Sequence, residues 1–148
     1  MTASGSRLLM LLTLLVAPCA YAQVANDRSV AIVFYGADEG GEAEVEDFTH
    51  GVLEASAKEA GLRALAAEAG GPGKPDPAKI AAAAKVRFVF LGEIHREDAD
   101  FAVSTHLVDA QSGREVWNGR FFSDEDDLLQ LPPEIATSLV AQLKGVAL

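Results

Sequence analysis

The residues of this chain best suited to chemistry are three histidines, His50, His95 and His106, and two acidic clusters. A metal ion shared between side chains needs its ligands about 2 Å away. His95 falls at the end of one predicted strand and His106 well inside the next. Folding that hairpin about residues 97–99 sets His95 beside Phe101 or Ala102. His106 then lies about four residues further along, roughly 13 Å away at the rise of a strand. His50 sits off the apolar stripe of a predicted helix, between Glu46 and Glu54 at i±4, where a solvated Glu-His-Glu row is expected. No His-x-x-x-His pair occurs. No metal site is expected.

The acidic clusters, "DEGGEAEVED" (38–47) and "SDEDD" (123–127), lack the one-three-five ligand spacing, central glycine and closing glutamate of a calcium loop. Ser104 and His106 share one face of a strand, but no strand-to-helix elbow presents the serine and no Gly-x-Ser-x-Gly is present. Gly36, Gly40 and Gly41 follow a strand and precede a helix, the place of a nucleotide fingerprint. Their spacing is wrong for one, and Glu39, Glu42 and Glu44 would repel a pyrophosphate at that helix start. The expectation is a protein that is not an enzyme and holds no cofactor. The alternative is a small-molecule sensor or enzyme using the loop after Gly36, where open α/β sheets bind ligands.

The elements that position these residues can be read from periodicity. "SVAIVFYG" (29–36) is a compact β-branched and aromatic run, expected as a strand buried on both faces. An acidic loop (37–44) leads into a helix over 44–61, with Val45, Phe48, Val52, Ala55 and Ala60 on its apolar side and Gly61 as its stop. Residues 62–71 stay open between strand and helix. Asp76 and Pro77 start a further helix over 78–85. Three strands follow at 86–97, 100–110 and 114–123, an antiparallel meander. A helix over 132–145, striped by Ile135, Leu139 and Leu143, closes the domain. The fold class is α/β: one domain, with helices packed on a mixed sheet that contains the meander.

Residues 1–22 have the pattern of an export signal: Arg7, an apolar run over 8–17, and "AYA" (20–22) before Gln23. Residues 23–28 would form a short arm and 29–148 the domain. The apolar run is short for a membrane span. Cys19 could carry lipid, but Pro18 stands where such processing favours a small residue, so cleavage after Ala22 is preferred. Membrane attachment depends on Cys19. The expected location is the periplasm, with an outer-membrane lipoprotein as the alternative. From Gln23 onward the chain carries 11 Lys and Arg against 22 Asp and Glu, a net charge of −11. That field excludes nucleic acid as a partner.

The stretch from Val86 to Leu143 resembles the TolB-like amino-terminal domain, expected here as a stand-alone domain without a β-propeller. The matching residues are "FLGEI" (90–94), "VSTHLVDAQSGREVW" (103–117), "RFF" (120–122) and "DLLQLPPEIATSLVAQL" (127–143). The resemblance implies structural places for Gly92, Asp109, Gly113 and Trp117. Asp109 and Gly113 would set a tight hairpin, with Gly113 at positive φ. Trp117 would pack over the sheet; a contact with a partner is its second reading. The function implied is an exported adaptor binding another cell-envelope protein. Trp117, Asp38 and Glu39 are the candidate interaction residues. The alternative is a lipoprotein-type regulator of envelope or cell-wall assembly.

Overall fold

The structure, a computed structural model, describes residues 28–36, 42–59, 61–69 and 73–146. The signal segment, Cys19, residues 23–27, Asp38 and Glu39 lie outside the described residues. Strand β1 (Ser29–Gly36) is buried from Ser29 through Tyr35. A strand apolar on both faces needs neighbours on both edges and layers above and below. It has them: β2 (Arg63–Ala66) and β3 (Phe88–Glu97) both pair with it in parallel. Strands β4 (Asp100–Asp109) and β5 (Arg114–Asp124) extend the sheet antiparallel from β3, giving the order β2-β1-β3-β4-β5.

Helix α1 (Glu42–Ala57) connects β1 to β2, and α2 (Pro77–Ala84) connects β2 to β3. The second crossover returns past β1 to its other edge. Right-handed connections therefore place α1 and α2 on opposite faces of the sheet. Helix α3 (Leu131–Val146) follows β5 and joins α1 on its face.

Residues 62–71, open between helix and strand in the sequence, supply the edge strand β2. Leu and Ala there favour helix intrinsically, but pairing with β1 prevails: Arg63 donates its N–H to Arg28 at 3.0 Å and Ala67 donates to Ile32 at 3.0 Å. Helix α1 ends at Ala57, short of the expected Gly61. Glu59 and Leu62 donate to Ser56 and Glu59 in two successive turns, and Gly61, at φ +81°, aims the chain into β2. Helix α2 begins as expected: Asp76 accepts the Ala78 N–H at 3.0 Å and Pro77 occupies the first turn.

Two cores result. Under α1 and α3 lie Val30, Ile32 and Phe34 of β1, Phe88, Phe90 and Ile94 of β3, and Phe101, Val103 and Leu107 of β4. They meet Phe48 and Val52 of α1 and Ile135, Leu139 and Leu143 of α3. Each such side chain contributes about 2 kcal/mol on burial. The opposite face is smaller. Ala31, Val33, Tyr35, Val89 and Leu91 pack there against Ile80 and Ala81. Helix α2 is only eight residues long, so its core stays on the β1 and β3 side of that face.

Candidate interaction surface

The β4–β5 hairpin is set by a polar clasp. Gly113, at φ +73°, donates its N–H to Asp109 at 2.8 Å, and the Asp109 carboxylate accepts the Gln111 N–H at 3.0 Å. Arg87 grips the same carboxylate with Nη2 at 3.1 Å. Burial raises the Asp109 pKa, but the hydrogen bonds and charge of Arg87 and the backbone donors outweigh it, and the net shift is downward.

Trp117 is half-buried, its ring stacked on Phe90 at 6.4 Å and tilted against Phe121 at 6.4 Å. It lies over Gly119, where a Cβ would sit 2.7 Å from the indole Cζ2. Gly92 plays the same part for Phe34: a Cβ there would come within 2.3 Å of the ring. Gly92, Thr105 and Gly119 are register partners across three strands. They form one low row, covered at its ends by two aromatic rings. The sequence signal for Gly119 is its place two residues after the tryptophan, on the same side of the strand.

The histidines stand apart, as the hairpin register requires: His95 is opposite Ala102 and His106 opposite Leu91. Each has a carboxylate: Glu93 lies 3.3 Å from His95, and Glu115 lies 2.6 Å from His106 Nδ1. That hydrogen bond lowers the Glu115 pKa. Glu93 also accepts the Tyr35 hydroxyl at 3.4 Å, and burial, with the nearby Glu93 charge, raises the Tyr35 pKa to about 12. His50 sits 3.7 Å from Glu54 on the exposed side of α1. Among the described residues no cluster of three potential ligands could hold a metal ion.

His106 and Glu115 have the arrangement of half a catalytic relay, with Ser104 two residues away on the same face. Strand β4 is paired on both sides, by β3 and β5. Its backbone N–H groups are thus held in the ladders, where they cannot converge on a developing oxyanion. At the carboxyl end of β1, a wide, open depression of about 1300 Å³ has Tyr35, Gly36, Thr49 and His50 in its walls, along with the carboxylates of Glu46, Asp47 and Glu68. Three acids beside one imidazole disfavour a phosphate-bearing ligand there.

The most exposed apolar groups lie elsewhere. Phe122 is 62% exposed and Leu129 83%, the two large hydrophobics so exposed among the described residues. Each belongs to a doublet. Phe121 and Leu128 pack against the main core while their neighbours point out. A strand with period two turns one of two adjacent phenylalanines to solvent, so this was the sequence signal for Phe122.

TolB from Acinetobacter baumannii superposes with a TM-score of 0.55 at 19% identity, over 79% of this chain and 28% of TolB. The fold is that of the TolB amino-terminal domain. The PelC dodecamer from Paraburkholderia phytofirmans shares this TolB-like fold, with a TM-score of 0.55 at 13% identity over 79% of this chain and 86% of PelC. Lipoprotein GNA1162 from Neisseria meningitidis shares it too, with a TM-score of 0.50 at 19% identity over 77% of this chain and 96% of the lipoprotein. At such identities the likeness is one of fold. No protein-family model matches the sequence, and no curated protein matches it.

Proposed function

We propose that this protein is an exported, non-enzymatic interaction module of the bacterial cell envelope, binding another envelope protein. The observation that carries this reading is the unequal covering of the TolB-like sheet. Among the described residues, the meander is packed on one face by α1 and α3. Its other face and the outer edge of β5, an 11-residue strand, are left to solvent. A long sheet edge beside an exposed aromatic suits recognition by another chain. Support also comes from the export signal in the sequence and from a neighbour of the same fold that is a lipoprotein. On the open face Glu93 is shared by Tyr35 and His95, Glu115 pairs with His106 and Glu97 with Arg120, and the serine that could act as a nucleophile lies on a strand without an oxyanion cradle. Both points favour binding over catalysis.

The test is cross-linking in living Gram-negative cells that express the full chain with a carboxyl-terminal affinity tag. The reading expects discrete adducts with a periplasmic or outer-membrane protein, lost when Arg120→Pro breaks the β5 edge. Recovery of the uncrosslinked chain alone would contradict it. A second reading, the lipid-anchored regulator, is favoured by the lipoprotein neighbour and by Cys19. It requires a diacylated form beginning at that cysteine.

A further inference from the structure

We infer that two copies of this chain join through the outer edges of their β5 strands, antiparallel about a two-fold axis at Gly119, into one continuous sheet. This goes beyond the interaction-module reading above: the edge takes a second copy, and the open face of the joined sheets remains for the envelope partner. The two edges of the sheet differ. Strand β2 is four residues long, too short to offer much to another chain. Strand β5 runs for 11 residues, and "REVWNGRFFSD" has neither the lysines nor the proline that commonly guard an edge. Its one irregularity, at Val116, lies near its start.

The strand is complementary to itself. In an antiparallel pair, side chains directly opposite share a face, and a two-fold axis makes each contact twice. On β5, Trp117, Gly119 and Phe121 take the core side, opposite Leu107, Thr105 and Val103. Asn118, Arg120 and Phe122 take the open side, opposite His106, Ser104 and Ala102. The axis must therefore pass through a residue, not between two. Gly119 is the middle of the strand, so an axis there uses its whole length. It sets Trp117 against Phe121 of the second copy, Asn118 against Arg120, and glycine against glycine. Cross-strand aromatic pairs are favourable, and these would stand over two glycines that leave room for the rings. Past Trp117 the extra residue Val116 moves the register by one. Arg114 then comes beside Asp124 of the second copy, an acid that faces Asp100 in its own chain.

Other registers are poorer. An axis at Arg120 opposes two guanidinium groups and sets Trp117 against Ser123. An axis at Asn118 sets Trp117 against glycine and Val116 against Arg120. An axis at Phe122 pairs Arg120 with Asp124 but leaves the first half of the strand without partners. Pairing β5 with β2 of another copy would add chain to chain without closing, and β2 is too short to hold it. Each copy carries a net charge of −11 from Gln23 onward. Salt screens that repulsion beyond about 8 Å at physiological ionic strength, whereas the contacts along the edge are closer.

The test is sedimentation of the chain recovered after expression of residues 1–148, alone, over a range of concentrations at physiological ionic strength. A monomer–dimer equilibrium is expected. Hydrogen exchange should slow with concentration at those amides of 117–121 that point away from β4. Asn118 is exposed, so its variants should keep the circular dichroism of the parent. Asn118→Arg faces Arg120 of the second copy twice and should weaken the dimer about tenfold; Asn118→Glu should tighten it about as much. Net charge alone predicts the reverse order, because arginine lessens the negative charge and glutamate adds to it. A chain that stays monomeric to about 1 mM, a dimer without protection at 117–121, or variants ordered by net charge would each overturn the inference. Cellular cross-links that persist with a monomeric chain leave the module reading standing. Their loss from a chain that still dimerises removes that reading alone.

Discussion

Phe34 rests where a side chain on Gly92 would have to be, and this contact sets the tolerance of the sheet's centre. Gly92→Ala should cost about 3 kcal/mol by overpacking, read from urea unfolding, and Phe34→Leu in the same chain should recover part of it. The glycine was legible in the sequence only as a fixed place in a resemblance; the ring that demands it comes from the neighbouring strand, and register is not written locally. The Asp109–Arg87 clasp gives a pH dependence whose sign follows from the lowered carboxylate. A group whose folded pKa is depressed contributes stability above its ordinary titration range and loses it as pH falls through the folded pKa. Asp109→Asn should therefore destabilise the protein by about 2 kcal/mol near neutral pH, and the difference should shrink below about pH 4. Tyr35 is the one tyrosine after residue 22. Its ultraviolet titration should have a midpoint at about 12, and Glu93→Gln should move it down without restoring the ordinary value, because burial is the larger cause.

At the scale of elements, alternation and capping made most of the fold legible. Thr105 and Leu107 turn inward while Ser104 and His106 are only half-buried, as a one-sided strand requires. Helix α2 starts at its Asp-Pro signal. Strand β2 was not legible, since four residues of Arg, Ala and Leu take strand form only because β1 offers an open edge. The irregularity in β5 was hidden for a similar reason. Leu107 pairs with Trp117 but Val108 with Glu115, so Val116 is the extra residue of a bulge. That shift puts Trp117 on the core side, against Phe90. Trp117→Ala should cost about 2 kcal/mol, less than a fully buried aromatic, and intrinsic fluorescence of the parent should move to longer wavelength on unfolding. Leu139→Ala in α3, fully buried, should cost about 3 kcal/mol.

For the whole molecule, the class of fold was legible, but which side chains it leaves exposed was less so. The sequence drew attention to its tryptophan and to Asp38 and Glu39. The tryptophan gives its ring face to Phe90, Asp38 and Glu39 lie outside the described residues, and the large apolar side chains most exposed among the described residues are Phe122 and Leu129. A residue's type does not state which way it points; only the pairing of strands and the helices laid over them settle that. The proposed export of this module beyond the cytoplasm rests on the first 22 residues as much as on the sheet. It is tested most directly by the intact mass of the chain recovered from the osmotic-shock fraction of a Gram-negative host expressing residues 1–148. A single species beginning at Gln23 without added lipid is expected. A diacylated species beginning at Cys19 would transfer the claim to the membrane-tethered reading, and a full-length chain retained in the cytoplasm would contradict it.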